Sequence, residues 1–558
     1  MHDTVITGGM VVDGTGSPPR RADVAIDKGV VSAIGADLGP GQTSIDATGS
    51  IVTPGFIDPH THFDAHLFWD PQCAPSNLHG VTTVVLGNCG FGVAPCPAGG
   101  GEYLLRSLER VEEIPYSATS IAVPFNWSSW SQYADAVASL RLGVNVASYV
   151  AHSPLRYSVM GEAAGKPGAS ADMVRRTRAA LERALADGAV GFASSRGPNH
   201  VDAQSRPVPS RNADDAELQQ LVAACKDRLW QINVQAKASA DSASLLDELG
   251  KYAQWTAASG TSLTWTPMLV EADGAWRECV AWSRRLMDKG TRVLAQTLAM
   301  PLYSSLRFDE PQSYQLIVKG WLPVFSDWPK LDHAGRVARL ASREARDVLR
   351  AAGIRGTRYF DARYDQWEIV RSPTRPDMIG RTVIELSANG REPVDAFCDL
   401  LVADDLQTLL RVPVANSDPA EMADALNCDD LLYGLGDAGA HVTSLTNYAY
   451  PTAVLSTFVR ERRVLAIEKA VRAMTSVPAR LMGLRDRGEL LPGMAADICV
   501  IDADRVAAGP IEVRPDLPGG AERIYQAATG YRAVLVNGTV TVRDDVCTQA
   551  ASGRFLRR

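Results

Sequence analysis

The chain has 558 residues, of which 46% are hydrophobic and 22% charged, and this balance excludes a largely disordered chain and a coiled coil. Its length allows a large core together with an accessory unit. The formal net charge of −8 argues against a broad basic surface and therefore against nucleic acid as a partner.

The sequence also carries information about the compartment. No uninterrupted apolar run reaches the length of a membrane helix, and the opening MHDTVITGGMVVDG contains neither a basic nor an apolar signal region. The nine cysteines are scattered and odd in number, unlike a disulfide framework. We therefore expect a cytoplasmic protein without a membrane partner. Export by another route and assembly into a homo-oligomer stay open.

Short apolar runs alternate with turn sequences in the first fifty residues. The turns are Gly8-Gly9 and Asp27-Lys28-Gly29, and the apolar runs cover residues 4–7, 10–12, 24–26 and 30–34. This alternation predicts a meander of short strands.

Strand-like and helix-like runs alternate through the middle of the chain, a pattern typical of a parallel sheet with crossover helices. The candidate strands end near His62, Asn88, His152, Arg196, Ala236, Met268, Leu298 and Asp437. Eight such strands predict an α/β fold with a closed (β/α)₈ barrel, a TIM barrel, over residues 53–483.

One crossover helix is well marked, at residues 171–187. Ser170 is suited to cap it, Val174, Leu181 and Leu185 share one face, and Gly188 ends it. The chain then continues directly into a strand at residues 189–194.

Residues from about 301 to 429 are too many for one crossover connection. We interpret them as an insertion that forms a lid or wall over the barrel mouth. The arginine-rich run at residues 336–352 is equally well explained as a solvated surface helix.

The end of the chain returns to short strands, at residues 496–501, 533–536 and 539–542. Asn537-Gly538, between the last two, is a strong hairpin signal. Both ends are rich in strands and lack crossover helices. We therefore predict that residues 1–52 and 484–558 together form one small β-sandwich domain.

The most specific motif is Thr53-Pro-Gly-Phe-Ile-Asp-Pro-His60-Thr-His62, at the predicted end of the first barrel strand. Residues two apart on a strand point the same way, so both histidines can hold one divalent ion through imidazole nitrogens. A bare His-x-His pair is often structural. The preceding Pro-Gly-Phe-Ile-Asp makes a metal site the favoured interpretation.

Cys89 follows the next apolar strand, in the glycine-rich turn Gly87-Asn88-Cys89-Gly90. Catalytic groups of this fold lie at such carboxyl-terminal strand ends, and a thiolate there can bind zinc. An inert buried cysteine is the alternative interpretation.

Asp437 stands in Leu435-Gly-Asp-Ala-Gly-Ala-His441, at the end of the last predicted strand. A carboxylate there can bind the metal and move a proton between the attacking water and the leaving amine. A Gly-Asp-x-Gly sequence by itself is usually just a turn. Barrel closure, however, makes the first and last strands neighbours, which brings Asp437 to the two histidines.

These motifs resemble the D-aminoacylase, or N-acyl-D-amino-acid deacylase, family of the amidohydrolase superfamily. The resemblance covers nearly the whole chain and is carried by VTPGFIDPHTHFD, GVTTVVLGNCGFGVAP, HSPLRYSVMG, GFASSR, GDAGAH and LLPGMAADICVID. It implies a barrel with a small β-sandwich, zinc, and hydrolysis of the amide of an N-acylated D-amino acid. It also implies that His60, His62, Cys89 and Asp437 are metal ligands and that Asp437 is the acid/base.

The chain departs from this family at the ends of the fifth and sixth strands. Relatives carry a histidine at each of these ends, whereas here residues 230–237 read WQINVQAK and residues 263–268 read LTWTPM. We therefore expect one metal ion rather than two, held by His60, His62 and Asp437, with Cys89 and His441 beside it.

Three residues are candidates for binding the substrate: His152, Arg196 and His441. His152 and Arg196 follow the third and fourth strands, on the mouth side of the barrel, where a guanidinium can clamp a carboxylate through two hydrogen bonds. A loop-packing histidine and a surface arginine are the alternatives. Lys237, near the fifth strand, is expected to face solvent.

The predicted activity is metal-dependent hydrolysis of an amide bond in a small molecule, either an N-acyl-D-amino acid or a cyclic amide. The metal would activate the attacking water, and Asp437 would accept its proton. One alternative is deamination or decarboxylation on the same fold. The other is a metal-free relative that binds a ligand without turnover.

Overall fold

The computed structural model describes residues 1–234, 242–309, 319–352, 362–387 and 390–558. Its strands, numbered in chain order, are β1 His2–Val11, β2 Arg20–Asp27, β3 Val30–Gly35, β4 Gly41–Asp46, β5 Ile51–Pro54, β6 Phe56–Asp58, β7 Val81–Leu86, β8 Asn145–Ala151, β9 Gly191–Ser195, β10 Leu229–Asn233, β11 Ser262–Thr266, β12 Val293–Leu298, β13 Leu302–Leu306, β14 Glu368–Arg371, β15 Leu409–Ala415, β16 Leu431–Gly434, β17 Ile498–Ile501, β18 Ala507–Arg514, β19 Arg523–Thr529, β20 Tyr531–Val536, β21 Thr539–Arg543 and β22 Val546–Cys547.

The helices are numbered in the same way. They are α1 Gly101–Glu112, α2 Tyr116–Ala122, α3 Trp130–Ala138, α4 His152–Met160, α5 Ala171–Ala186, α6 Pro209–Asn212, α7 Asp215–Ala224, α8 Ser242–Ser259, α9 Trp276–Met287, α10 Leu322–Phe325, α11 His333–Ala341, α12 Arg343–Ala351, α13 Pro393–Ala403, α14 Pro419–Leu426, α15 Tyr450–Ala453, α16 Ile467–Met474 and α17 Ser476–Met482. None of the helices in the described ranges is long and apolar enough to cross a membrane.

Eight parallel strands form the barrel, in the order β6, β7, β8, β9, β10, β11, β12 and β16. All six residues of β7 are buried, and apolar, β-branched runs covered on both faces are typical of parallel sheets. Beyond the regular strands, Thr61 forms a parallel bridge with Ala438, which links the first strand to the eighth. The predicted α/β fold with a (β/α)₈ barrel is confirmed.

Several barrel strands end earlier than the sequence predicts. The first ends at Asp58 rather than near His62, and the last at Gly434 rather than near Asp437. After Gly434 the backbone leaves the strand conformation because Leu435 and Asp437 adopt left-handed φ angles of 57° and 44°. The predicted end near Ala236 lies outside the described residues.

Strands from both chain ends share one nine-stranded sheet, in the order β22, β21, β20, β17, β5, β1, β2, β3, with β4 paired to β1, while β18 and β19 pair with each other in a separate sheet. The N-terminal strand β5 lies between β1 and the C-terminal strand β17. Side chains from both ends fill one buried hydrophobic cluster, which includes Ile6, Val52, Val500 and Leu535. The two termini therefore share one sheet and one hydrophobic core.

Two local sequence signals are confirmed. Asn537 and Gly538 connect β20 to β21 with positive φ angles of 46° and 82°, as a type I′ hairpin turn requires. The side chain of Ser170 accepts a hydrogen bond from the N–H of Met173 at the start of α5, and Gly188, with φ of 105°, follows its end.

We propose that residues 1–52 and 484–558 fold as one domain on the barrel of residues 53–483. A fragment of residues 52–483 should therefore be insoluble, because it lacks the strands on both sides of β5 and most of their shared core. Solubility and circular dichroism of the fragment, beside those of the full chain, measure this. A soluble, folded and active fragment would refute the proposal.

Residues Pro301–Ser417 form a second compact unit together with Thr443–Thr446. This unit contains the antiparallel sheet of β13, β15 and β14 and the helices α10 to α13. Its core is rich in aromatic side chains, among them the fully buried Trp321, Trp328 and Phe397. The role of the predicted insertion as a lid or wall stays a prediction.

Candidate metal centre

The candidate metal centre lies at the carboxyl ends of the barrel strands. β6, β7 and β16 are each followed by a turn that carries predicted metal ligands, and parallel strands present these ends on one side of the barrel. His60 and His62 flank Thr61 and are both buried, with their ring centroids 5.4 Å apart. Their alternation therefore continues past the end of β6, which brings both imidazoles to one site.

Gln296 of β12 fixes the orientation of His60. The Nδ1 of His60 lies 2.7 Å from Oε1 of Gln296, and an amide oxygen can only accept, so Nδ1 carries the proton. Nε2 is then free to bind a metal. It faces Cys89 Sγ at 3.3 Å and Asp437 Oδ1 at 3.3 Å.

Cys89 is held by two side chains of β10, a strand that is not adjacent to β7 in the barrel. Its backbone N–H donates to Oε1 of Gln231 at 2.9 Å, and the side-chain amide of Asn233 approaches its sulfur at 3.6 Å. Cys89 itself has a positive φ of 54° in the turn after β7. Burial, together with the charges of Glu112 and Asp437, raises the pKa of the thiol well above its usual value. A nearby cation would favour the thiolate.

Two glycines allow Asp437 to reach the histidines. A Cβ at Gly436 would collide with the buried carboxylate of Asp58, and one at Gly439 would collide with the backbone carbonyl of His62. The N–H of Asp437 donates to the carbonyl of His60 at 3.1 Å. Burial raises the pKa of the Asp437 carboxyl, while the charge of His60 lowers it.

Glu112 and Asp58 are two carboxylates that the sequence analysis missed. Oε2 of Glu112 lies 3.6 Å from Nε2 of His62, and burial raises the pKa of Glu112 to about 8. Asp58 accepts a hydrogen bond from the N–H of His60 at 3.1 Å, and burial raises its pKa to about 8. The available signal for Glu112 was its spacing, because it continues the apolar positions Leu104 and Leu108 of α1.

His441 lies beside the centre with part of its side chain exposed. Its Nε2 is 3.8 Å from Oε2 of Glu112, and its Nδ1 is 3.3 Å from Oε2 of Glu113. Burial lowers the pKa of His441, but the hydrogen bond and charge of Glu113 and the charges of Glu112 and Asp437 raise it to about 9. His441 thus presents a cationic group at the edge of the centre.

Arg196 and the Nδ1 of His152 are hydrogen-bonded within the protein, whereas Nε2 of His152 is buried with no hydrogen-bond partner among the described residues. His152 is fully buried, and its Nδ1 lies 2.8 Å from Oγ of Ser194. The guanidinium of Arg196 donates to the carbonyl of Ala213 at 2.6 Å and pairs with Asp215 at 3.4 Å. These contacts support the loops around the barrel mouth.

The donor set fits a divalent cation such as zinc. Donor atoms of His60, His62 and Cys89 all lie within 4.8 Å of one another, and all three side chains are buried. Two donors on one tetrahedral zinc ion lie about 3.3–3.8 Å apart, given bond lengths of about 2.0–2.3 Å. The 3.3 Å distances that His60 Nε2 makes with Cys89 and Asp437 meet this condition. Lys237 lies outside the described residues.

Comparisons with known proteins agree on one family. The model of the Amidohydrolase family matches residues 43–542. The N-acyl-D-glutamate deacylase of Alcaligenes xylosoxydans xylosoxydans is 29% identical over 568 residues, which covers 100% of this chain and 96% of that protein. The D-aminoacylase of the same organism is 24% identical over 579 residues, which covers 100% and 98%.

A solved structure agrees with these relatives. The N-acyl-D-glutamate deacylase from Bordetella bronchiseptica, in complex with zinc and a phosphonate inhibitor that mimics the tetrahedral intermediate, superposes with a TM-score of 0.66 at 26% identity and covers 100% of both chains. The chain therefore belongs to the amidohydrolase family, in the branch that includes D-aminoacylase, and is a metal-dependent hydrolase of carbon–nitrogen bonds other than peptide bonds.

Proposed function

We propose that this chain deacylates an N-acyl-D-amino acid, using one zinc ion held by His60, His62 and Asp437, with Cys89 beside it. The observation that carries the proposal is the buried group of donor atoms at the carboxyl end of the barrel. The substrate class is supported by the relatives, because N-acyl-D-glutamate deacylase and D-aminoacylase align with the whole of this chain.

The residues of the site have different roles in the proposed reaction. A bound ion supplies Lewis acidity, which lowers the pKa of a water molecule and polarises the amide carbonyl. Asp437 accepts the proton of the attacking water and delivers it to the leaving nitrogen, so that the amine departs without a negative charge. Gln296 keeps His60 in the tautomer whose Nε2 faces the centre.

His441 is the candidate that we assign to substrate contact. It is partly exposed beside the centre, and its cationic imidazole is suited to an anionic group of the substrate. His152 and Arg196, which are hydrogen-bonded within the protein, act in this proposal by holding the strand-end loops in place.

A substrate panel tests the proposal. Zinc-reconstituted protein is incubated with N-acetyl derivatives of D- and L-glutamate, aspartate, leucine and methionine, and with cyclic amides, and the free amino acid is measured. We expect release from at least one D compound, about tenfold or more faster than from its L enantiomer. Metal-loaded protein that releases no D-amino acid would overturn the proposal, and release of ammonia or carbon dioxide would indicate a different reaction.

A further inference from the structure

Glu112 occupies a position that is costly for a carboxylate. It is the last residue of α1, and its side chain is only 4% exposed. Burial of a charged carboxyl group is unfavourable unless a cation or hydrogen-bond donors compensate it. The carboxyl-terminal end of a helix also carries partial negative charge, which disfavours an anion there. A carboxylate that carries its charge in this position needs a positive partner or hydrogen-bond donors.

The partners of this carboxylate belong to the metal centre. Within the described part of the chain, its ion-pair contacts are with His62 Nε2 at 3.6 Å and His441 Nε2 at 3.8 Å, and no lysine or arginine lies within 4.0 Å of it. Both distances are longer than a hydrogen bond. The ligands of one tetrahedral zinc ion lie about 3.3–3.8 Å apart, and the 3.6 Å between Glu112 Oε2 and His62 Nε2 falls in this range.

The described residues of β10 and β11 supply few typical zinc ligands to the centre. At the fifth and sixth strands, β10 and β11, the described residues near Cys89 carry amide and hydroxyl groups: Gln231 and Asn233 contact Cys89, and Thr264 pairs in register with Gln231. None of these groups is a typical zinc ligand. A carboxylate from α1 supplies an anionic oxygen on the other side, next to His62.

We propose that Glu112 is a metal ligand whose Oε2 binds the same ion as Nε2 of His62. This inference rests on the metal centre of the proposed function and adds a ligand from a helix after the second barrel strand. The contact holds the carboxyl-terminal end of α1 against the centre, and the ion adds positive charge next to a buried carboxylate whose basic neighbours in the described part of the chain are His62 and His441.

Metal affinity measures this contact directly. Affinity for Zn²⁺ and Co²⁺ is determined by competition with a chromophoric chelator for the parent, Glu112→Gln and Glu113→Gln. Glu113 is the matched control because it is the next residue and contacts His441 but not His62. We expect Glu112→Gln to weaken affinity by at least about tenfold and Glu113→Gln to change it by less than about threefold. Equal affinities of parent and Glu112→Gln, or equal losses in both variants, would overturn the inference.

A second variant covers the case in which Glu112→Gln does not fold. Glu112→His offers a nitrogen donor in place of the carboxylate oxygen, so the visible absorption bands of bound Co²⁺ should shift relative to the parent. Bands identical to those of the parent would overturn the inference. Neither measurement uses turnover, so metal binding that depends on Glu112 in a protein without deacylase activity would refute the proposed function alone.

Discussion

Replacing Asp437 by asparagine should lower turnover by about a hundredfold or more while the protein stays folded. Asparagine keeps the shape of the side chain and one oxygen that can contact the metal, but it cannot accept the proton of the attacking water. Oδ1 of Asp437 lies 3.3 Å from Nε2 of His60, and its backbone N–H is bonded to the carbonyl of His60, so both contacts place the carboxylate at the centre.

A purely structural role for Asp437 predicts a different pattern. If the side chain only stabilised the turn before Gly439, the variant would lose about 1 kcal/mol of folding stability and keep near-normal turnover per folded molecule. Melting temperature, metal content and turnover are therefore measured on the same preparation. Asp430→Asn is a suitable control, because Asp430 pairs with Arg284 just before β16. A metal-loaded Asp437→Asn protein with activity within a few-fold of the parent would contradict the mechanism.

Substituting His60 or His62 by alanine should remove most of the bound metal and, with it, the activity. The reconstituted parent should contain about one ion per chain. Loss of a direct ligand should weaken affinity by more than the roughly 10–100-fold that loss of an outer partner costs. Metal content after dialysis, followed by affinity measurement, gives the result for both variants.

His333→Ala provides the control for the two histidine variants. His333 is exposed on α11 and bonded to Asp405 at 2.7 Å, so its removal tests general effects of losing an imidazole. It should leave metal content unchanged. Two tightly held ions in the parent would contradict the proposed stoichiometry and would direct attention to Cys89 and Lys237 as further ligands.

The sequence predicted the elements whose signals are local. Asn537-Gly538 predicted a hairpin because only a few residue types tolerate two successive positive φ angles. Ser170 and Gly188 predicted the ends of α5 because a cap and a stop act on the nearest turn of helix. Strand ends were less accurate, since a strand ends where its neighbour stops pairing, which is not a local property.

The group of His60, His62, Cys89 and Asp437 was predicted from motifs and from barrel closure. The structure brings their donor atoms together, and it adds Gln296, which is 236 residues from its partner His60 along the chain. A glutamine in an apolar strand gives no sequence signal of this contact. Whether Gln296 contacts His60 depends on where the folded barrel places the seventh strand, β12, relative to the turn after β6.

The sequence by itself determined the fold class and the residue types able to hold a metal, because periodicity, turn chemistry and donor chemistry are properties of neighbouring residues. Only the tertiary structure decided that Glu112 faces His62, that Gln296 orients His60, and that Arg196 is bonded to Ala213 and Asp215. These contacts join residues far apart in the chain. They arise when the parallel strands and their helices are packed around one axis, which brings their ends to a common site.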